Sequence, residues 1–166
     1  MKILSTILFT SVFLYACDQS SQDITELEGT WEGICITSGF SNSSTKIIIT
    51  YQSNNIRTVV NSYSDQSCSM LTETTPLSET QLVSPENLAD TFDIGNTITT
   101  SNGVTAKELN EYNTNNELIP NIYSVQNGST LYLGLKCYPS GTGPSLTCIT
   151  SRPTELDYVN YYTKQN

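Results

Sequence analysis

The side chains able to do chemistry in this chain are carboxylates, thiols and phenols, because it contains no histidine. That removes Ser-His-Asp and Cys-His nucleophilic catalysis, His-ligated metals and any imidazole base. A glycosidase-type pair of carboxylates remains, with Asp90/Asp93, Glu108/Glu111 and Asp65 as the candidates. Calcium at Asp90, Asp93 and Asn96 is a further carboxylate chemistry, but the stretch lacks a recognisable calcium loop. Sixteen acids generate such spacings by chance, so solvated side chains are the plainer reading. No G-x-S-x-G elbow, P-loop or dinucleotide fingerprint is present. The sequence therefore predicts a protein that is not an enzyme and uses no cofactor or metal.

At the amino terminus Lys2 is followed by an apolar run of 13 residues, Ile3 to Tyr15. A helix needs roughly 20 to cross a bilayer. Leu14-Tyr15-Ala16-Cys17 resembles the lipobox of bacterial lipoproteins, in which the cysteine thiol is lipidated, the peptide is cut before it and the new amino terminus is acylated. The resemblance implies a signal peptide at 1–16, a lipidated tether at 17–26 and a domain at 27–166. It places that domain on the exported side of a bacterial envelope membrane. An ordinary cleaved signal peptide is the competing reading. After the cut, six basic and sixteen acidic side chains remain, a balance of −10. Such a surface repels nucleic acid and anionic headgroups, so membrane contact should come from the lipid.

With Cys17 taken by lipid, Cys35, Cys68, Cys137 and Cys148 form an even set in an oxidising setting. Their spacings of 33, 69 and 11 contain no C-x-x-C knuckle, which disfavours zinc. Three disulfide pairings exist, and Cys35–Cys68 with Cys137–Cys148 is favoured. The second pair encloses two Gly and two Pro in residues 138–147, a loop whose closure stabilises by up to about 3 kcal/mol.

The elements that must position these groups read as strands. Ser, Thr and Asn supply 60 of the 166 residues, which suits turns and exposed strand faces. The alternation predicts strands at Trp31 to Thr37, Lys46 to Tyr51 and Ile56 to Tyr63, with the turn at Ser53-Asn54-Asn55 using asparagine at positive φ. Phe92, Ile94 and Ile98 share one parity, and Asn102-Gly103 suits a two-residue hairpin turn. Val104 to Tyr112 carries both a capping box and hairpin context, and a strand is preferred. Ser84-Pro85-Glu86 marks one short helix. Around Asn127-Gly128, Leu131, Leu133 and Leu135 should be buried, with Tyr132 on a wet face. A meander of about eight such strands closes into an antiparallel up-and-down barrel, which removes its exposed edges.

Gly29-Thr30-Trp31 opens this meander and resembles the G-x-W signature of lipocalin-like barrels. The resemblance implies an all-β, eight-stranded barrel with a cavity open at one end. It also implies that Trp31 closes the other end beneath an arginine from late in the domain, for which Arg152 is the candidate. The family's middle T-D-Y motif is absent. Tyr158, Tyr161 and Tyr162 suit a pocket rim, an interface or ordinary strand packing. The function expected is binding of a small apolar ligand or an envelope protein partner. The alternatives are a filled barrel acting as a structural or inhibitory module, and a carboxylate-dependent glycan hydrolase.

Overall fold

Branched apolar residues alternating with short polar ones produce a chain of antiparallel strands, seen in a computed structural model that describes residues 26–37, 39, 41–79, 88–135, 137–139, 146–148 and 151–166. These strands are β1 (Gly29–Gly33), β2 (Ile36–Thr37), β3 (Ser44–Gln52), β4 (Asn55–Tyr63), β5 (Leu71–Pro76), β6 (Ala89–Thr99), β7 (Thr105–Asn113), β8 (Leu118–Gln126), β9 (Thr130–Leu133), β10 (Cys137–Pro139), β11 (Leu146–Cys148) and β12 (Tyr162–Gln165). Eight of them close a barrel in the order β1-β3-β4-β6-β7-β8-β9-β12, and β12 returns to β1. The two ends of the domain are thereby joined. β2 and β5 extend the wall beside β3 and β4, and β10–β11 is a separate hairpin.

The barrel is thinnest where β4 meets β6. That seam holds one paired position, Asn55 with Thr91, and the bond from Phe92 N to Asn54 O. Beyond it β4 pairs with β5 instead, from Val59 to Tyr63.

Turn chemistry explains the hairpins, with two departures from expectation. Between β3 and β4 the positive φ falls on Ser53, at 55°, rather than on an asparagine. The β6–β7 loop is Ser101-Asn102-Gly103, closed by Gly103 N to Thr100 O with Gly103 at φ 82°. It is thus a three-residue loop ending in a left-handed glycine, not a two-residue turn. Asn127 and Gly128 take φ 53° and 67°, as the hairpin between β8 and β9 requires.

The first expected strand is broken. β1 ends at Gly33, and Cys35 leaves the barrel wall to bond Cys68, after which β2 pairs only with Ser44 and Thr45. Val104 to Tyr112 is a strand, as preferred, lying within β7 and its preceding loop. The helix expected at Ser84-Pro85-Glu86 lies outside the described residues.

The barrel interior holds Leu27, Trp31, Ile49, Tyr51, Ile56, Phe92, Ile94, Leu109, Tyr123 and Leu131. A bulge between Ile94 and Thr97 in β6 inserts one residue against β7. It reverses the parity. Ile98 therefore packs outside the barrel with Ala106, Ile122, Tyr132 and Leu156, not with Phe92 and Ile94. The face expected to be wet around Tyr132 is covered by residues 152–157, a strap held by Asp157 N to Leu133 O, Leu135 N to Glu155 O and Ser101 N to Thr154 O.

Candidate functional site

Strand direction sorts the barrel into two ends. At one lie the β3–β4, β6–β7 and β8–β9 hairpins, together with Glu26, which pairs with Lys107 at 2.8 Å and accepts from Tyr123 Oη at 2.5 Å. Leu27 and Trp31, both fully buried, fill this end. Trp31 Nε1 donates to Leu27 O at 2.7 Å.

Trp31 therefore does plug one end, but its cation is not Arg152. Lys164 Nζ lies 5.1 Å from the indole centroid. Gly29 makes this approach possible. At φ 123° it faces the Lys164 stem so closely that a Cβ would sit 2.9 Å from Lys164 Cε. Arg152 is on the outer wall, where it donates to Asn121 O at 2.5 Å and to Asn110 Oδ1 at 2.6 Å, and pairs with Glu108 at 3.3 Å. The arginine anchors the strap. Its distance along the chain from Trp31 resembles the expected pair, but β12, carrying Lys164, is the strand beside β1.

Toward the other end a cavity of about 200 Å³ opens in the barrel. Ile47, Ile49 and Tyr51 of β3 and Ile56 and Thr58 of β4 form one wall. Glu111 of β7, Ile119 of β8 and Tyr162 of β12 form the other, and Leu77, Leu88 and Ala89 border it between β5 and β6. Period-two alternation explains the wall, because Ile49 faces Thr58 and Tyr51 faces Ile56 across the β3–β4 ladder.

The polar groups of this cavity are two phenols, a threonine and a carboxylate. Tyr51 is 1% exposed, stacks edge-on against Phe92 at 5.1 Å, and its hydroxyl has no hydrogen-bond partner. An unsatisfied buried hydroxyl costs about 1–3 kcal/mol. Burial, followed by the negative charge of Glu111, pushes the Tyr51 phenol well above its usual range. Tyr162 is pushed up to about 12 by burial, then by Asp157 and Glu111. Glu111 is itself buried and accepts from Asn121 Nδ2 at 3.0 Å. Among the described residues that line the cavity there is no lysine or arginine.

The carboxylate pairs do not converge. Glu108 and Glu111 are three apart on one strand, so they occupy opposite faces of the barrel wall, Glu108 with Arg152 outside and Glu111 within. Asp93 is exposed and accepts from Asn110 Nδ2 and Tyr112 Oη at 2.5 and 2.9 Å. Asn96 N donates to Glu108 at 3.1 Å. Asp90 is the extra residue of a bulge between Ala89 and Thr91. Asp65 accepts from Ser67, Ser69 and Met70, which holds its carboxyl well below the usual range and closes the β4–β5 loop. Among the described residues no group of three His, Cys, Asp or Glu is placed to hold a metal ion.

Of the thiols, Cys35 and Cys68 are bonded, with Cα atoms 5.9 Å apart. Cys137 and Cys148 are directly opposite in the β10–β11 register. Cys17 lies outside the described residues. The terminal tyrosines divide: Tyr162 lines the cavity, whereas Tyr158 and Tyr161 are exposed outside, 5.0 and 6.2 Å from the Tyr132 ring. Tyr51 was legible only as a member of the Ile47/Ile49/Tyr51 alternation, and nothing local singles out its hydroxyl. No protein-family model, curated protein or solved structure matches this chain.

Proposed function

We propose that this protein is a lipid-anchored lipoprotein of the bacterial envelope whose barrel binds a small, mostly apolar ligand without chemistry. The observation that carries the reading is the cavity of about 200 Å³ walled by Ile47, Ile49, Ile56 and Ile119. A filled structural barrel would close such a space with side chains. An apolar cavity of about 150 Å³ accommodates benzene, so this one, at about 200 Å³, suits ligands of roughly eight non-hydrogen atoms.

The anchor reading rests on Leu14-Tyr15-Ala16-Cys17. Glu26 meets the Trp31 end, so a tether from Cys17 would reach the domain at the plugged end. The cavity then faces away from the membrane. Cys17→Ser should move the protein from the membrane to the soluble fraction, and a variant that stays membrane-bound overturns the anchor.

Native mass spectrometry of protein drawn from its own envelope tests the binding reading. A retained small molecule, lost when Ile49→Trp fills the cavity, is the expected result. A retained protein instead, with no small molecule, would favour partner binding through exposed side chains such as Val159 and Tyr158.

A further inference from the structure

Among the buried side-chain polar atoms of the described residues, Tyr51 Oη is the one without a hydrogen-bond partner. The Tyr51 ring stacks edge-on against Phe92 at 5.1 Å, whereas the charges of Glu111 and Tyr162, both residues of the cavity wall, reach its hydroxyl. The hydroxyl end therefore faces the cavity. Burial keeps this phenol protonated, so it has one hydrogen to donate. Glu111 is engaged already, accepting from Asn121 Nδ2 at 3.0 Å. A pure hydrocarbon in the cavity would leave the Tyr51 donor unpaired, and a charged headgroup would give up its own water against a wall of isoleucine. A neutral oxygen avoids both penalties.

We propose that the cavity selects small neutral apolar molecules bearing one accepting oxygen, a ketone in the simplest case. That oxygen takes the hydrogen of Tyr51 Oη while the hydrocarbon lies against Ile47, Ile49, Ile56 and Ile119. This rests on the reading of the barrel as a ligand-binding site.

Heptan-2-one and 2-methylhept-1-ene test it, because they share one skeleton and differ only in an oxygen against a methylene carbon. Headspace chromatography at equilibrium, over the full-length protein and over matching protein-free solution, gives the affinity for each. The ratio of ketone to alkene affinity is then compared between the parent protein and Tyr51→Phe, which removes the donor and keeps the ring. That ratio should fall about tenfold in Tyr51→Phe, with the alkene binding as before. Tyr51→Phe should also melt no lower than the parent, because the hydroxyl it removes has no partner. A Tyr51→Phe protein that fails to fold would show that the hydroxyl is already engaged, and would overturn the proposal. An unchanged ratio, or binding of the alkene alone, overturns the oxygen selectivity while leaving ligand binding intact. Uptake of neither compound overturns both.

Discussion

Trp31 shows how one residue's role depends on which neighbour the fold brings to it. A tryptophan at 0% exposure with Lys164 over its ring and Leu27 O on its nitrogen has both its apolar and polar needs met. Trp31→Ala should cost roughly 3–5 kcal/mol. In a double-mutant cycle, Trp31→Ala with Lys164→Ala should show coupling of about 0.5–2 kcal/mol. Trp31→Ala with Arg152→Ala should be additive, because Arg152 bonds Asn121, Asn110 and Glu108 instead. Denaturant melts of these variants decide it, and coupling to Arg152 alone would refute the assignment of Lys164. The tryptophan was legible from Gly29-Thr30-Trp31, whereas its cation was not. Sequence distance does not say which strand closes beside β1.

At the scale of elements, the strap across β7, β8 and β9 is the part that strand periodicity could not foresee. Tyr132 reads as a wet-face residue, yet Leu156 packs beside it with Ala106 and Ile122. Residues 152–157 lack alternation because their partners are backbone groups of the barrel wall, such as Leu133 O. Gly134 is where the strap lies closest, since a Cβ there would meet Asn121 Oδ1 and Pro153 Cβ at 2.7 Å. Gly134→Ala should therefore destabilise by about 1–3 kcal/mol. It should also speed hydrogen exchange at Leu135 and Asp157, whose amides bond between the strap and the end of β9. Unchanged exchange at both would mean that the strap does not depend on this approach. For the β10–β11 hairpin, peptide mapping without reductant should join Cys137 to Cys148, which their register places opposite. Free thiols at both would leave that hairpin uncrosslinked.

The molecule as a whole buries an unusual set of phenols around its interior, and this gives it an alkaline weakness. Tyr51, Tyr123 and Tyr162 all have raised values, each with burial as the largest cause. In the unfolded chain they ionise near the ordinary value of 10.0, while Tyr162 in the fold holds its proton to about 12. Between these the unfolded state binds fewer protons, so stability is full below about pH 10 and falls as pH rises toward 12 and beyond. Thermal melts followed with tyrosinate absorbance should show Tm falling over that window, with full ionisation appearing only on unfolding. A Tm that holds constant up to pH 12 would contradict the burial of these side chains.

The amino-acid sequence determined the all-β class and the positions of most hairpins, because alternation and turn residues act over short stretches, while of three open cysteine pairings it only favoured the one in which the fold joins Cys35 to Cys68. Tertiary structure decided what lies inside. Glu111 and Glu108 look alike as a pair of acids, yet strand geometry sends one into the cavity and the other to Arg152. One bulged residue in β6 moves Ile98 to the opposite face from Ile94. The cavity itself exists only because strands far apart in the chain close into a ring, bringing Tyr51 of β3, Glu111 of β7 and Tyr162 of β12 around one space. Closure depends on long-range pairing, which no local pattern specifies.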